Sequence, residues 1–139
     1  MTGLLEIYGV KTYKSRQWWY TVINRILIID DEIIFCKALK YHLTQKGYDV
    51  DICNSYHEFQ HEIDLFQFDL ILLDIHLEDI HGLDLFKIAQ EINPKIKVII
   101  ISAYLDYDNI SKAKELGAYD FVYKNTKMFQ VLDQLFDGM

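Results

Sequence analysis

A small set of polar residues stands at the ends of short apolar runs, and their types suggest a single chemistry. Asp30, Asp31 and Glu32 follow RILII; Asp74 closes LILLD; Ser102 follows KVIII; Lys124 follows YDFVY. Two unit charges about 4 Å apart at an effective dielectric near 20 repel by roughly 4 kcal/mol. Three gathered aspartates would therefore raise a pKa or hold a cation. Hard oxygen donors in a partly hydrated cleft suit Mg²⁺, which bridges carboxylates to phosphate oxygens. Lys124 adds a cation that a phosphoryl oxygen could meet, and Ser102 adds a hydroxyl donor. A carboxylate is then available as nucleophile in a phosphoryl site. Each residue has a plainer reading. An Asp after a strand commonly caps a helix, and a loop Ser or Lys is usually solvated. The repetition at four strand ends favours a site.

That convergence needs a scaffold, and the chain supplies its rhythm from Arg25 onward. Residues 25–29, 48–53, 69–73, 97–101 and 119–123 are apolar runs rich in β-branched and aromatic residues, which favours strands. Segments of helical length lie between them, at 32–46, 55–66, 82–92, 106–116 and 126–136. Gly47 and Gly117 are helix stops, Ser55 and Glu58 have capping-box spacing, and Asn93-Pro94 ends the third helix. Strand then helix, five times, predicts an α/β domain with a five-stranded parallel sheet and helices on both faces. Residues 48–53 alternate more than the other runs and belong at an edge. In the order 2-1-3-4-5, the crevice outside the carboxyl ends lies between strands one and three. Asp30, Asp31 and Asp74 converge there, flanked by Ser102 and Lys124.

Length and composition bound the reading further. The 139 residues are one domain's worth, 51% hydrophobic and 25% charged, which excludes a largely disordered chain. The net charge of −7 is unevenly placed. Residues 1–24 carry +2, whereas residues 25–139 hold 11 basic and 20 acidic side chains. An acidic body without a basic stripe argues against direct nucleic-acid binding. No apolar run approaches the ~20 residues of a membrane span, and residues 1–24 hold no apolar stretch followed by a small-residue cleavage site, which argues against a secretory signal. The two cysteines, Cys36 and Cys53, fit a reducing cytoplasm. Residues 1–24 are a separate extension, rich in Tyr and Trp (Tyr8, Tyr13, Trp18, Trp19, Tyr20), read as partly ordered.

From Arg25 to Phe136 the chain resembles a receiver domain of bacterial two-component response regulators, a flavodoxin-like fold. The resemblance rests on the acidic pair after strand one, LILLD with Gly82 eight residues past Asp74, ISA after strand four, and DFVYK. It implies that Asp74 is the phosphoacceptor for a phosphohistidine on a sensor histidine kinase or phosphotransfer protein. It implies Mg²⁺ held by Asp30, Asp31, Asp74 and the backbone carbonyl of His76, with Ser102 and Lys124 engaging the phosphoryl group. Ser102 and Phe121 would carry the switch to the surface of helix 4, strand 5 and helix 5. That surface would serve a downstream protein, an output domain or a homodimer. The domain would be a signalling phosphoacceptor rather than an enzyme. If the chain is complete, it ends shortly after its last helix and acts by docking or as a relay.

Three departures stand out. Leu77-Glu78 replaces a common Met-Pro. Asn125 replaces the usual proline after the lysine, leaving the Lys124–Asn125 peptide either trans in a different loop or cis under strain. Tyr104, two residues past Ser102, is large enough to screen an acyl phosphate from water. The literal H-E-x-x-H at His57–His61 has zinc-protease spacing, but it sits in a short helix with Glu58 assigned to capping Ser55. The alternatives are a non-phosphorylated interaction module on the same fold and an aspartyl-phosphate phosphatase, which would need an Asp-x-Asp after strand one.

Overall fold

The computed structural model describes residues 4–7, 10–13, 23–104 and 106–139. Within the leader, β1 (Leu4–Ile7) pairs antiparallel with β2 (Val10–Tyr13), Leu4 opposite Tyr13. Strands of four residues are too short for their alternation to be read from sequence, and no element was expected there. Tyr8, Trp18, Trp19 and Tyr20, on which the partly ordered leader was argued, lie outside the described residues.

The main sheet contains β3 (Arg25–Ile29), β4 (Asp49–Cys53), β5 (Leu70–Asp74), β6 (Lys97–Ser102) and β7 (Asp120–Tyr123). All neighbours are parallel, in the order β4-β3-β5-β6-β7, which is the expected 2-1-3-4-5. The helices are α1 (Ile33–Gln45), α2 (Tyr56–Glu62), α3 (Gly82–Ile92), α4 (Tyr107–Leu116) and α5 (Met128–Asp137). Successive strand residues point to opposite faces, so each central strand feeds two cores. Ile26, Ile28, Leu70, Leu72, Ile99 and Ile101 pack with Leu39 and Leu43 of α1 and Leu132 of α5. Leu27, Ile29, Ile71, Leu73, Val98 and Ile100 pack with Phe59 of α2, Phe86 of α3 and Ala113 of α4. β5 is buried along its whole length, while edge strand β4 is exposed or half-buried at three of its five positions. That difference is why β5 reads as an apolar run and β4 alternates.

Several boundaries differ from the sequence expectation for local reasons. The second helix ends at Glu62, short of residue 66. The Asp64 side chain accepts a hydrogen bond from the Phe66 N–H and opens a 3-10 turn, Leu65–Gln67, an alternative to continuing the helix. Ser55 Oγ accepts from the Glu58 N–H at 3.1 Å as the capping box requires. Glu58 reciprocates one residue early, accepting from the Asn54 N–H rather than from that of Ser55. The last helix starts at Met128 because Asn125 Oδ1 first accepts the Lys127 N–H in a turn. The Lys124–Asn125 peptide is trans, so of the two alternatives it is the loop that differs. Gly47 and Gly117 adopt left-handed backbone, φ 96° and 91°, at the ends of α1 and α4.

Candidate functional site

Sheet register brings the polar strand ends to one level. Ile29 of β3 lies opposite Leu73 of β5, so Asp30 and Asp74 leave neighbouring strands side by side. Asp74 pairs with Ile101 of β6, and Ser102 pairs with Tyr123 of β7, which sets Lys124 beyond them. The Lys124 N–H donates to the Ser102 carbonyl at 2.7 Å and ties these two strand ends together. Three backbones thus deliver an acid, a hydroxyl and an amine to adjacent positions.

None of Asp30, Asp31 and Asp74 caps a helix through its side chain. The residue before α1 is Glu32, with no side-chain cap bond, and each aspartate is held by a nearby or crossing amide. Asp30 Oδ1 accepts from the Glu32 N–H at 2.8 Å, and Asp74 Oδ1 accepts from the His76 N–H at 3.1 Å. Asp31 Oδ2 accepts from the Glu78 N–H at 3.1 Å. A proline at position 78 could not make this last bond. Asn54 Nδ2 donates to the Asp30 carbonyl at 2.9 Å and steadies the turn from below. Gly82 is required by close packing: its N–H donates to the Ile75 carbonyl, and a Cβ there would lie 2.5 Å from the Ile75 Cα.

The electrostatics are deliberately unbalanced. Asp30, Asp74 and Ser102 are buried, at 0%, 3% and 1% exposure. Burial, and then the Asp30 charge beside it, pushes Asp74 up to about 6 despite Lys124. Burial also raises Asp30, against the opposing pull of Lys124 and the Glu32 amide. Desolvation works against the charge on Lys124, but pairing with Asp30, Asp74 and Glu32 outweighs it and raises its pKa. The ammonium lies 2.7 Å from Asp30 Oδ2, 3.2 Å from Glu32 Oε1 and 3.5 Å from Asp74 Oδ2.

The donor set fits a hard divalent cation. Asp30, Asp31 and Asp74 each offer a carboxylate oxygen, and these oxygens lie within 4.8 Å of one another. Asp30 Oδ2 is buried and meets Lys124 as an ion pair without hydrogen-bond alignment, so its counterpart is a cation. All-carboxylate oxygen ligation suits Mg²⁺.

Around this pocket, Tyr104 is 65% exposed and meets the His76 ring edge-on, centroids 5.2 Å apart. Ser102 Oγ accepts from the Tyr104 N–H at 3.1 Å. Phe121, opposite Ile100 in register, is half-buried against the α2–α3–α4 core. His57 and His61 stand 4.4 Å apart on α2, with Glu58 engaged at the helix start. Among the described residues, the one cluster of three or more metal-type donors is the aspartate group, away from those histidines. Sequence reasoning placed Glu32 in the acidic row after strand one but gave it no role in the site. The amide of Glu78 was hidden, because backbone donors carry no residue signature.

The five parallel strands in the order 2-1-3-4-5, with an acidic pocket at their carboxyl ends, define a receiver-type fold. Residues 26–136 match the response regulator receiver domain family, and the chain belongs to it. It is 32% identical over 99 residues to the transcriptional regulatory protein ZraR of Escherichia coli, matching 71% of this chain. The match spans only 22% of that regulator. The non-phosphorylated HemR receiver domain of Leptospira biflexa superposes with a TM-score of 0.74 at 27% identity, covering 81% of this chain and 94% of that one. A Burkholderia pseudomallei response regulator, solved with a phosphorylated aspartic acid, calcium ion and citrate, shares the fold at 24% identity and TM-score 0.69, covering 81% and 66%. No helix among the described residues is long and apolar enough to cross a membrane.

Proposed function

We propose that this domain accepts a phosphoryl group on Asp74 within a two-component phosphorelay. A carboxylate oxygen of Asp74 attacks phosphorus in line as the P–N bond of a kinase phosphohistidine breaks, the bond's electron pair passing to the imidazole. Asp30, Asp31, Asp74 and the His76 carbonyl would hold Mg²⁺, which supplies charge neutralisation for the phosphoryl oxygens. Lys124 turns an ammonium proton to a phosphoryl oxygen. The Ser102 hydroxyl, whose oxygen already accepts from the Tyr104 amide, donates its proton to another. The observation that carries this reading is the convergence of Asp30, Asp31 and Asp74 around one point, with Lys124 against two of them.

The output follows from Ser102. Drawing its hydroxyl toward the phosphoryl group opens space for Phe121, which can turn inward without desolvating a polar group. The changed surface is α4, β7 and α5, available to a downstream protein, an output domain or a second copy. The domain is consumed once per signalling event and does not turn over substrate. It acts in a reducing cytoplasm, where Cys36 and Cys53 remain thiols. Incubation with acetyl phosphate and Mg²⁺, read by intact mass, tests the assignment. The wild type should gain one phosphoryl group and Asp74→Ala none. Absence of any gain in the wild type would favour a non-phosphorylated interaction module.

A further inference from the structure

The Lys124 ammonium has three protons to donate, and three carboxylates surround it. The two nearer ones, Asp30 and Glu32, both belong to the turn between β3 and α1, so the lysine leans away from Asp74. The Phe35 ring closes another side, its centroid 4.4 Å from Nζ. The Glu32 carboxylate caps nothing in α1 and is engaged with Lys124 instead. It is also the partner that stands in water: its side chain is 62% exposed, against 0% for Asp30 and 4% for Asp74. An exposed ion pair breaks cheaply, whereas parting a buried one strands a charge.

We infer that Glu32 is a positioning residue, a solvent-side tether that holds Lys124 toward the β3–α1 turn in the resting domain and yields it when a phosphoryl group forms. The inference rests on Asp74 being the phosphoacceptor. Lys124 must then free one donor for a phosphoryl oxygen, and the contact to Glu32 is the one that costs least to break. Glu32 acts in opposite senses on the two ligands of the pocket. Its negative charge favours a divalent cation, and it opposes the phosphoryl group both by repulsion and by competing for Lys124.

The test compares wild type, Glu32→Gln and Glu32→Asp in the full chain. Calorimetric titration with Mg²⁺ alone should show about two- to fivefold weaker binding in Glu32→Gln. At saturating Mg²⁺, its phosphorylation rate with acetyl phosphate should rise by about two- to fivefold. A residue needed only for the fold would lower both quantities, and an idle surface acid would move neither. Glu32→Asp shortens the reach but keeps the charge, so it relieves the competition for Lys124 and not the repulsion, and its rate should rise above wild type by less than that of Glu32→Gln. The rate decides: no acceleration in Glu32→Gln, or a Glu32→Asp rate equal to wild type, overturns the tether. Should the wild type itself take up no phosphoryl group, the fault lies with the phosphoacceptor reading, and the tether falls with it.

Discussion

The two ends of the parallel sheet treat their acids in opposite ways. At the amino end, Asp69 accepts the N–H groups of Asn24 and Arg25, both at 2.9 Å. Arg25 spans to Asp49 at 3.3 Å and Asp51 at 3.1 Å, lies over the Phe68 ring and donates to Gln67. Every one of those acids has a local donor or cation. At the carboxyl end, Asp30, Glu32 and Asp74 share Lys124, two of them buried, and Asp31 adds a fourth acid with no cation beside it among the described residues. The first end is built to hold the fold together. The second retains surplus negative charge, a stability cost in keeping with the cation and phosphoryl site proposed above.

Removing the surplus is the strongest way to test that contrast. Asp74 has its pKa raised to about 6 in the folded domain, above the ordinary 3.8. The folded state therefore holds the proton more tightly than the unfolded chain. Its penalty is absent below about pH 4, grows through about pH 6 and is complete above that. Without metal, Asp74→Asn should be more stable than wild type by about 3 kcal/mol at pH 8. In urea melts that advantage should vanish by pH 4 and shrink on adding Mg²⁺; an advantage independent of pH would contradict the assigned cause. At the other end, Asp69→Ala leaves two backbone amides without their acceptor and should lose about 2 kcal/mol. Its phosphorylation rate should match wild type, since nothing at that end touches the pocket.

Smaller effects sharpen the same comparison. Tyr104 flanks His76 on the rim, and screening of the acyl phosphate by its ring predicts a severalfold shorter phosphorylated lifetime in Tyr104→Ala, measured by decay of the phosphorylated mass. Equal lifetimes would remove Tyr104 from the account. The least consequence belongs to Asp49, whose side chain is 66% exposed in its pair with Arg25. Asp49→Asn should shift stability by no more than about 0.5 kcal/mol in a melt. A large loss there would mean that the amino end depends on surface pairing rather than on the amides bound by Asp69.

Much of this was legible because local signals agreed with the global fold. The apolar runs of β3, β5 and β6 are buried on both faces, so composition alone marked them as strands covered by helices on both sides. Gly82–Ile92 kept its predicted limits because both were set locally, by His81 at one end and Asn93-Pro94 at the other. The second helix was overestimated because Asp64 competes for backbone bonds through its side chain, which helical periodicity does not register. Glu58 was given the right task but the wrong amide, a matter of one residue in how the chain enters the helix.

The sequence by itself determined the alternation of strand and helix, the placement of Asp30, Asp31, Asp74, Ser102 and Lys124 at strand ends, and the crevice at which such ends must open. Only the tertiary structure decided how the charges are shared. Lys124 is separated from Asp74 by 50 residues and from Glu32 by 92. Which carboxylate lies nearest depends on strand register, side-chain reach and access to water. Coulombic attraction and desolvation act on distances through space, and no spacing along the chain encodes those.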